Sequence, residues 1–146
     1  MREIRTEIVL DATPGAVWDA LTDLGAYESW NPQTVAASGD VAAGERVELT
    51  VLSGGRERRM TASVVDADPG RRLEWVSTLG GRWLFEARHT FEIEPLEDGR
   101  TRLVNREALS GVLVGFAVPD EAGAGYEAMN RALAGRLADA PPVAVA

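Results

Sequence analysis

Residues 83–109 read WLFEARHTFEIEPLEDGRTRLVNREAL, which is two alternating segments joined by a short polar turn. In the first segment, residues 83–94, one face carries apolar side chains and the single histidine of the chain: Phe85, Ala87, His89, Phe91 and Ile93. The other face carries Glu86, Arg88, Thr90, Glu92 and Glu94. Such alternation is typical of a strand with one face on a core and the other in water. The segment therefore predicts an antiparallel sheet.

The turn between the two segments sets how they pair. Residues 97–99 (EDG) suit a three-residue hairpin loop with glycine in the left-handed conformation, and residues 100–110 form the return strand. Counting from this loop, three pairs face each other on the inner side: Ile93 with Leu103, Phe91 with Asn105, and His89 with Glu107. Directly opposed side chains have Cβ atoms about 4.5–5.5 Å apart. The register therefore predicts a contact between the histidine and a carboxylate.

The remaining elements follow from similar patterns. Residues 2–11 alternate as a strand, and Thr13 followed by Pro14 is typical of a helix start, after which a second short helical turn follows. Further alternating runs fill residues 33–82. Residues 120–138 carry an apolar stripe at helical spacing, formed by Tyr126, Met129, Leu133 and Leu137. One strand, two short helices, about six strands and one long helix predict an α+β fold.

The composition is that of one folded domain. The chain has 146 residues, of which 45% are hydrophobic and 26% are charged, and both fractions are normal for a globular protein. We assign residues 1–140 to a single domain. Residues 141–146 (PPVAVA) are expected to form a frayed tail.

Charge and residue usage argue against several classes of function. The formal net charge is −8 and lysine is absent, so the basic face that nucleic acids require is missing, and an anionic membrane surface is disfavoured for the same reason. One histidine and no cysteine supply few metal ligands, and we expect no metal and no cofactor. No apolar run approaches the roughly 20 residues of a membrane span, and residues 1–7 lack a secretory pattern. These features predict a cytoplasmic protein.

Five local motifs, in this order along the chain, resemble the START-like (SRPBCC) superfamily and its polyketide cyclase/dehydrase-like branch. They are DATP at residues 11–14, YESWNP at 27–32, PGRRLEW at 69–75, HTFEIEP at 89–95 and YEAMN at 126–130. The resemblance implies a helix-grip fold, in which a curved antiparallel sheet of six to seven strands wraps around the long C-terminal helix. It also implies a cavity for a lipophilic ligand between the two. Members of the superfamily include binding proteins, cyclases and stress-linked modules, so the resemblance alone leaves the function open.

Strand parity and the helical stripe identify the residues expected to contact a ligand: Trp30, Leu49, Met60, Trp75, Phe85, His89, Phe91, Asn105, Glu107, Tyr126 and Met129. His89 is either a satisfied core histidine or a polar anchor with acid–base capacity. Glu107 is either solvated or paired with an arginine, or it is an acid inside the cavity. We expect the carboxylate to raise the pKa of the histidine only if the pair is partly wet, because burial acts in the opposite direction. Trp30 precedes an Asn-Pro loop and is a candidate gate.

Three hypotheses for function remain. The first is binding or carriage of a small hydrophobic ligand such as a lipid, a polyketide or an aromatic compound. The second is a cyclase or dehydratase in which His89 and Glu107 move protons. The third is a partner-binding module that uses the apolar surface around residues 112–118. The sequence contains no nucleophile-elbow motif, so a hydrolytic triad is not indicated, and it leaves the oligomeric state undetermined.

Overall fold

The computed structural model describes residues 2–81, 83–114 and 122–139. The strands in these ranges are β1 (Arg2–Leu10), β2 (Thr34–Gly39), β3 (Arg46–Ser53), β4 (Arg56–Asp68), β5 (Arg72–Thr78), β6 (Glu86–Pro95) and β7 (Thr101–Ser110). The helices are α1 (Pro14–Thr22), α2 (Tyr27–Trp30), which follows a 3₁₀ turn at Leu24–Ala26, and α3 (Ala122–Asp139).

The described strands form one antiparallel sheet in the order β1-β7-β6-β5-β4-β3-β2. The register slips between Thr34 and Ala36 in β2 and between Val64 and Asp66 in β4. Such bulges bend a strand and increase its twist. The predicted α+β helix-grip architecture, with a curved sheet against a long C-terminal helix, is therefore confirmed, and the number of strands is seven.

The hairpin β6–β7 has the predicted register. Ile93 pairs with Leu103, Phe91 with Asn105, and His89 with Glu107. Gly99 in the connecting loop has a φ of 83°, the left-handed conformation that a three-residue loop requires. The inner face of the sheet therefore carries the predicted row of side chains.

The first strand of this hairpin begins later than residue 83. Gly80 and Gly81 have φ values of 66° and 100°, and the backbone N–H of Phe85 donates to the carbonyl of Gly81 over 3.2 Å. Residues 83–85 are thereby held in a turn, and Trp83 is 70% exposed. The alternating pattern predicts a strand through this turn because it takes no account of the conformational freedom of two adjacent glycines.

Local capping defines the start of α1. The side-chain oxygen of Thr13 accepts a hydrogen bond from the backbone N–H of Ala16 over 3.2 Å, and Pro14 occupies the first helical position. This arrangement satisfies one of the orphan donors of the first turn while proline presets φ. The predicted helix start is confirmed.

The long helix α3 buries one stripe against the sheet. Tyr126, Met129 and Leu133 are buried, and Leu137 packs at the margin of the main core. Glycines within α3 weaken its intrinsic propensity, so this packing supplies most of its stability. The predicted start of this helix at residue 120 and the predicted tail at 141–146 lie outside the described residues.

Candidate functional site

The inner face of the sheet and α3 border a cavity of about 50 Å³. Its apolar wall consists of Leu49, Val51, Met60, Trp75, Ala87 and Tyr126. Its polar wall consists of Gln33, Thr34, Ser77, His89 and Glu107. The volume is well below the roughly 300–1,000 Å³ of typical ligand pockets and corresponds to about one or two water molecules.

Six residues from the predicted ligand set line this cavity: Leu49, Met60, Trp75, His89, Glu107 and Tyr126. Three others are buried beside His89 or its partners, namely Phe91, Asn105 and Met129. Trp30 packs against the main core, and Phe85 packs against a second apolar cluster centred on Ile4 and Leu109. The structure therefore brings together most of the predicted set, and Trp30 and Phe85 pack beside it without lining the cavity.

Five residues of the cavity wall are absent from the predicted set. Val51, Ser77 and Ala87 share the inward parity of Leu49, Trp75 and His89, so strand alternation contains the signal for them. Gln33 precedes β2 and Thr34 begins it, directly after the Asn-Pro loop, where no periodic pattern indicates which way a side chain points. The course of the loop, rather than a periodic pattern, positions these two side chains in the cavity wall.

An aromatic cage surrounds His89. The ring of Phe91 stacks on the imidazole with centroids 4.4 Å apart, and Trp75 and Tyr126 meet it edge-on at 6.0 and 5.5 Å. His89 itself is 7% exposed. Burial lowers the pKa of His89 to about 4, although the hydrogen bond from its ring to Asn105 acts in the opposite direction. The imidazole is therefore neutral at pH 7.

A chain of side-chain hydrogen bonds links His89 to the first strand. The Nε2 atom of His89 lies 2.7 Å from Oδ1 of Asn105, and Nδ2 of Asn105 donates to Oδ1 of Asn130 over 2.9 Å. Nδ2 of Asn130 donates to the hydroxyl of Thr6, and this hydroxyl donates to the backbone carbonyl of Asn105, each over 2.9 Å. Asn105 and Asn130 are both buried, so these bonds replace the hydration that the amides lose on folding.

Glu107 lies opposite His89 on β7 and also lines the cavity. Glu107 keeps some accessible surface. Burial raises the pKa of Glu107 to about 7. A carboxyl group with this pKa exchanges its proton near neutral pH, which is the property expected of an acid at a functional site.

The pKa shifts of these two residues have causes other than the expected mutual coupling: burial and Asn105 act on His89, and burial acts on Glu107. His89 uses Nε2 for Asn105, and its pKa is lowered rather than raised. Burial is the largest cause at both residues, and with these pKa values both side chains are neutral in mildly acidic solution.

Unpartnered polar atoms concentrate in one segment beside the cavity. Within the described ranges, the buried side-chain atoms without a hydrogen-bond partner are Nε1 of Trp30, Nδ2 of Asn31 and Oε1 of Gln33. Gln33 also lines the cavity wall. Buried unpartnered groups cost free energy, so their clustering marks residues 30–33 as a segment that is less than fully optimised for stability.

The chain belongs to the family described as polyketide cyclase / dehydrase and lipid transport. The model of this family matches residues 1–140, which is nearly the whole chain. The match confirms the sequence-based assignment to the START-like, polyketide cyclase-like proteins. No curated protein matches the chain.

Solved structures with the same fold come from distant relatives. A START superfamily protein from Mycobacterium smegmatis is 20% identical with a TM-score of 0.74, and the match covers 93% of this chain and 97% of that one. Protein MLL2253 from Mesorhizobium loti is 19% identical with a TM-score of 0.76, covering 97% and 100%. The protein TTHA0849 from Thermus thermophilus is 18% identical with a TM-score of 0.76, also covering 97% and 100%. At these identities the likeness establishes the fold.

Other features bear on the remaining hypotheses. In the described part of the chain, no helix combines the length and apolar character needed to cross a membrane. The same residues include no group of three or more histidine, aspartate or glutamate side chains placed to hold a metal ion. Val112 is exposed, whereas residues 115–118 of the predicted apolar patch lie outside the described residues. Partner binding at that patch stays a prediction.

Proposed function

We propose that this protein binds a small hydrophobic ligand between the inner face of the sheet and α3. The observation that carries the proposal is a cavity lined by six apolar residues together with a neutral histidine and a protonatable carboxyl group. An apolar wall with few polar anchors is the usual design of a site for small molecules. Membership of a family described by cyclase, dehydrase and lipid-transport activities supports the same conclusion.

Ligand binding at this place requires the interior to widen. A cavity of about 50 Å³ is too small for an aromatic or acyl ligand. The element best suited to move is α3, since Gly123, Gly125 and Gly135 lower its intrinsic helix stability. A Cβ at Gly125 would lie 3.4 Å from the side-chain amide nitrogen of Gln33, so the absence of a side chain lets the helix pass close to Gln33 there. Separation at this contact is the proposed route of widening.

Native mass spectrometry of freshly purified protein tests the proposal, followed by titration with an apolar fluorescent dye such as 1-anilinonaphthalene-8-sulfonate. We expect a co-purified mass or saturable dye binding at one site per chain. Ala87 lines the cavity and Ala108 borders a groove that Arg72 and Arg88 also line, on the opposite face of the sheet. Ala87→Leu is expected to weaken binding at least severalfold, whereas Ala108→Leu is the matched control and should leave it unchanged.

Thermal unfolding of both variants separates loss of a site from loss of the fold. Overpacking a buried position costs roughly 1–3 kcal/mol, which a stable domain tolerates. Equal dye affinity in Ala87→Leu and wild type, with both folded, would show that the dye binds elsewhere and would remove the support for this cavity.

A cyclase or dehydratase activity is the second candidate, and the pKa of Glu107 favours it. A carboxyl group with a pKa of about 7 is well matched to donate a proton at neutral pH, for example to a leaving hydroxyl group. His89, with a pKa of about 4, is a poor general base and serves better as a hydrogen-bond acceptor. In this assignment the carboxyl group of Glu107 is the acid and the imidazole of His89 is the acceptor, whereas in an imidazolium–carboxylate pair the imidazolium would be the acid.

The enzyme hypothesis has a direct test once a ligand is recovered. The purified protein is incubated with that compound, and mass spectrometry follows the loss of water from it. Glu107→Gln should abolish turnover while ligand binding persists, because glutamine keeps the shape of the side chain but cannot release a proton. Turnover that is equal in the variant and the wild type would exclude Glu107 as the acid.

A further inference from the structure

In the hydrogen-bond chain from Thr6 to His89, the donor and the acceptor of every bond can be assigned. The hydroxyl of Thr6 lies 2.9 Å from the backbone carbonyl oxygen of Asn105, and a carbonyl oxygen has no hydrogen to donate. The hydroxyl therefore donates there, and it faces Asn130 with its lone pairs. The atom of Asn130 at 2.9 Å must then be its amide nitrogen, Nδ2.

The same logic carries along the two buried amides. Because Asn130 turns Nδ2 to Thr6, it turns Oδ1 to Asn105, and Asn105 must donate with its own Nδ2 over 2.9 Å. Asn105 therefore presents Oδ1 to the imidazole of His89, 2.7 Å away. An amide oxygen only accepts, so Nε2 of His89 carries the hydrogen. A neutral imidazole with hydrogen on Nε2 has a bare lone pair on Nδ1.

We infer that Thr6, Asn130 and Asn105 are positioning residues that hold His89 in the Nε2–H tautomer, so that Nδ1 acts as the hydrogen-bond acceptor in the cavity and selects ligands carrying a hydroxyl donor. Nε2 is committed to Asn105, while His89 as a whole lines the cavity, which leaves Nδ1 as its polar atom for a ligand. The ligand class is an alcohol, a phenol or an enol with an apolar body. This inference rests on the proposed function, whose apolar wall would hold that body.

The tautomer can be observed in the protein alone. The chain contains a single histidine, so ¹⁵N labelling gives one pair of ring-nitrogen signals without assignment. The chemical shifts should identify Nε2 as the protonated nitrogen and Nδ1 as the unprotonated one. Thr6→Val removes the hydroxyl that sets the direction with little change of shape, and it should produce a mixture of tautomers. A wild-type signature with hydrogen on Nδ1 would overturn the inference.

Ligand selectivity is tested with two probes of nearly equal size, 2-naphthol and 2-methylnaphthalene. A hydrogen bond to Nδ1 should make the naphthol bind about fivefold more tightly in the wild type. In Thr6→Val the preference should fall below about twofold. Thr61→Val is the matched control, because Thr61 lies on β4 and its hydroxyl donates to the exposed Glu48. It should retain both the preference and the nitrogen signature.

The failures of the two proposals are distinguishable. Equal binding of the two probes to the wild type would overturn the selectivity role of His89 and leave the binding function standing. Binding of neither probe would overturn the binding function and, with it, the hydroxyl-ligand class. Retention of the full naphthol preference in Thr6→Val would show that the network does not position the imidazole.

Discussion

Two carboxyl groups on opposite faces of the same sheet, Glu74 and Glu107, have pKa values that are shifted in opposite directions. Glu74 on the outer face is 7% exposed and accepts hydrogen bonds from Arg72, Arg88 and Thr90 over 2.8–2.9 Å. Burial by itself would raise the pKa of Glu74, but these hydrogen bonds outweigh it and lower the pKa. On the inner face, burial raises the pKa of Glu107 to about 7.

The surroundings of the two groups explain the difference. Glu74 is covered by arginine side chains that border a groove of about 330 Å³, larger than the inner cavity, where charged groups already neutralise one another. Glu107 lines a cavity whose other residues are apolar, aromatic or polar without a charge at neutral pH. A buried charge that is paired with opposite charges is a structural feature, whereas an ionisable group in an uncharged cavity wall is a candidate for function. The size of a pocket is therefore a poorer guide here than the state of its ionisable groups.

The largest effect is expected from Glu74→Ala. Removing the carboxylate leaves Arg72 and Arg88 without their shortest ion pair and Thr90 without its acceptor, which should lower the free energy of unfolding by about 2–3 kcal/mol at pH 7. Urea denaturation measures the change. Glu92→Ala is the control, because Glu92 is more exposed and its ion pairs are worth below about 1 kcal/mol. Equal losses in the two variants would contradict the special status of Glu74.

Glu107→Gln is expected to raise the free energy of unfolding, in contrast to Glu74→Ala. The folded-state pKa of Glu107 lies above its ordinary value of 4.5, so ionisation destabilises the fold as pH rises from about 4.5 to 7. Glutamine removes this cost, and we expect the variant to be about 2 kcal/mol more stable than wild type at pH 8 and equally stable near pH 4.5. Urea midpoints at the two pH values provide the measurement. A variant less stable at pH 8 would mean that the carboxylate has a stabilising partner.

His89 and Glu107 should together flatten the pH dependence of stability. The folded-state pKa of His89 lies below its ordinary value of 6.5, so its contribution is lost as pH falls from 6.5 to about 4, while that of Glu107 is lost as pH rises from 4.5 to about 7. The two slopes oppose each other between pH 4.5 and 6.5. We expect a nearly constant free energy of unfolding in the wild type, a rise with pH in Glu107→Gln and a fall with pH in His89→Gln. A steep slope in the wild type would refute this compensation.

The smallest effect is expected at Gln33. Its Oε1 atom is buried without a hydrogen-bond partner, so replacing the amide with an apolar side chain removes an unsatisfied group. Gln33→Leu should change stability by at most about 1 kcal/mol, in the stabilising direction. Asn31→Leu is the contrasting variant, because Oδ1 of Asn31 accepts from the backbone N–H groups of Gln33 and Thr34 over 2.9 Å, and it should destabilise. Differential scanning calorimetry on both variants compares them, and a loss at Gln33 as large as at Asn31 would contradict the distinction.

The sequence by itself determined the architecture and the pairing of the central hairpin. Alternation has a period of two in any strand, and the length of the loop at residues 97–99 fixes the register between β6 and β7. The pairing of His89 with Glu107 therefore follows from local rules. The same rules identified the inward side chains of β3, β4 and β5. They failed at residues 83–85, where two adjacent glycines allow a turn that alternation does not detect.

Only the tertiary structure decided what those inward residues do. The partner of His89 is Asn105, two positions from Glu107 on the same strand, and the direction of that hydrogen bond is set by Asn130 and Thr6 from opposite ends of the chain. The entry of Gln33 into the cavity wall, and the aromatic cage that lowers the pKa of His89, also depend on elements distant in sequence. A pKa reflects the total surroundings of a group, and a hydrogen-bond direction reflects a whole network, so neither can be obtained from periodicity along one strand.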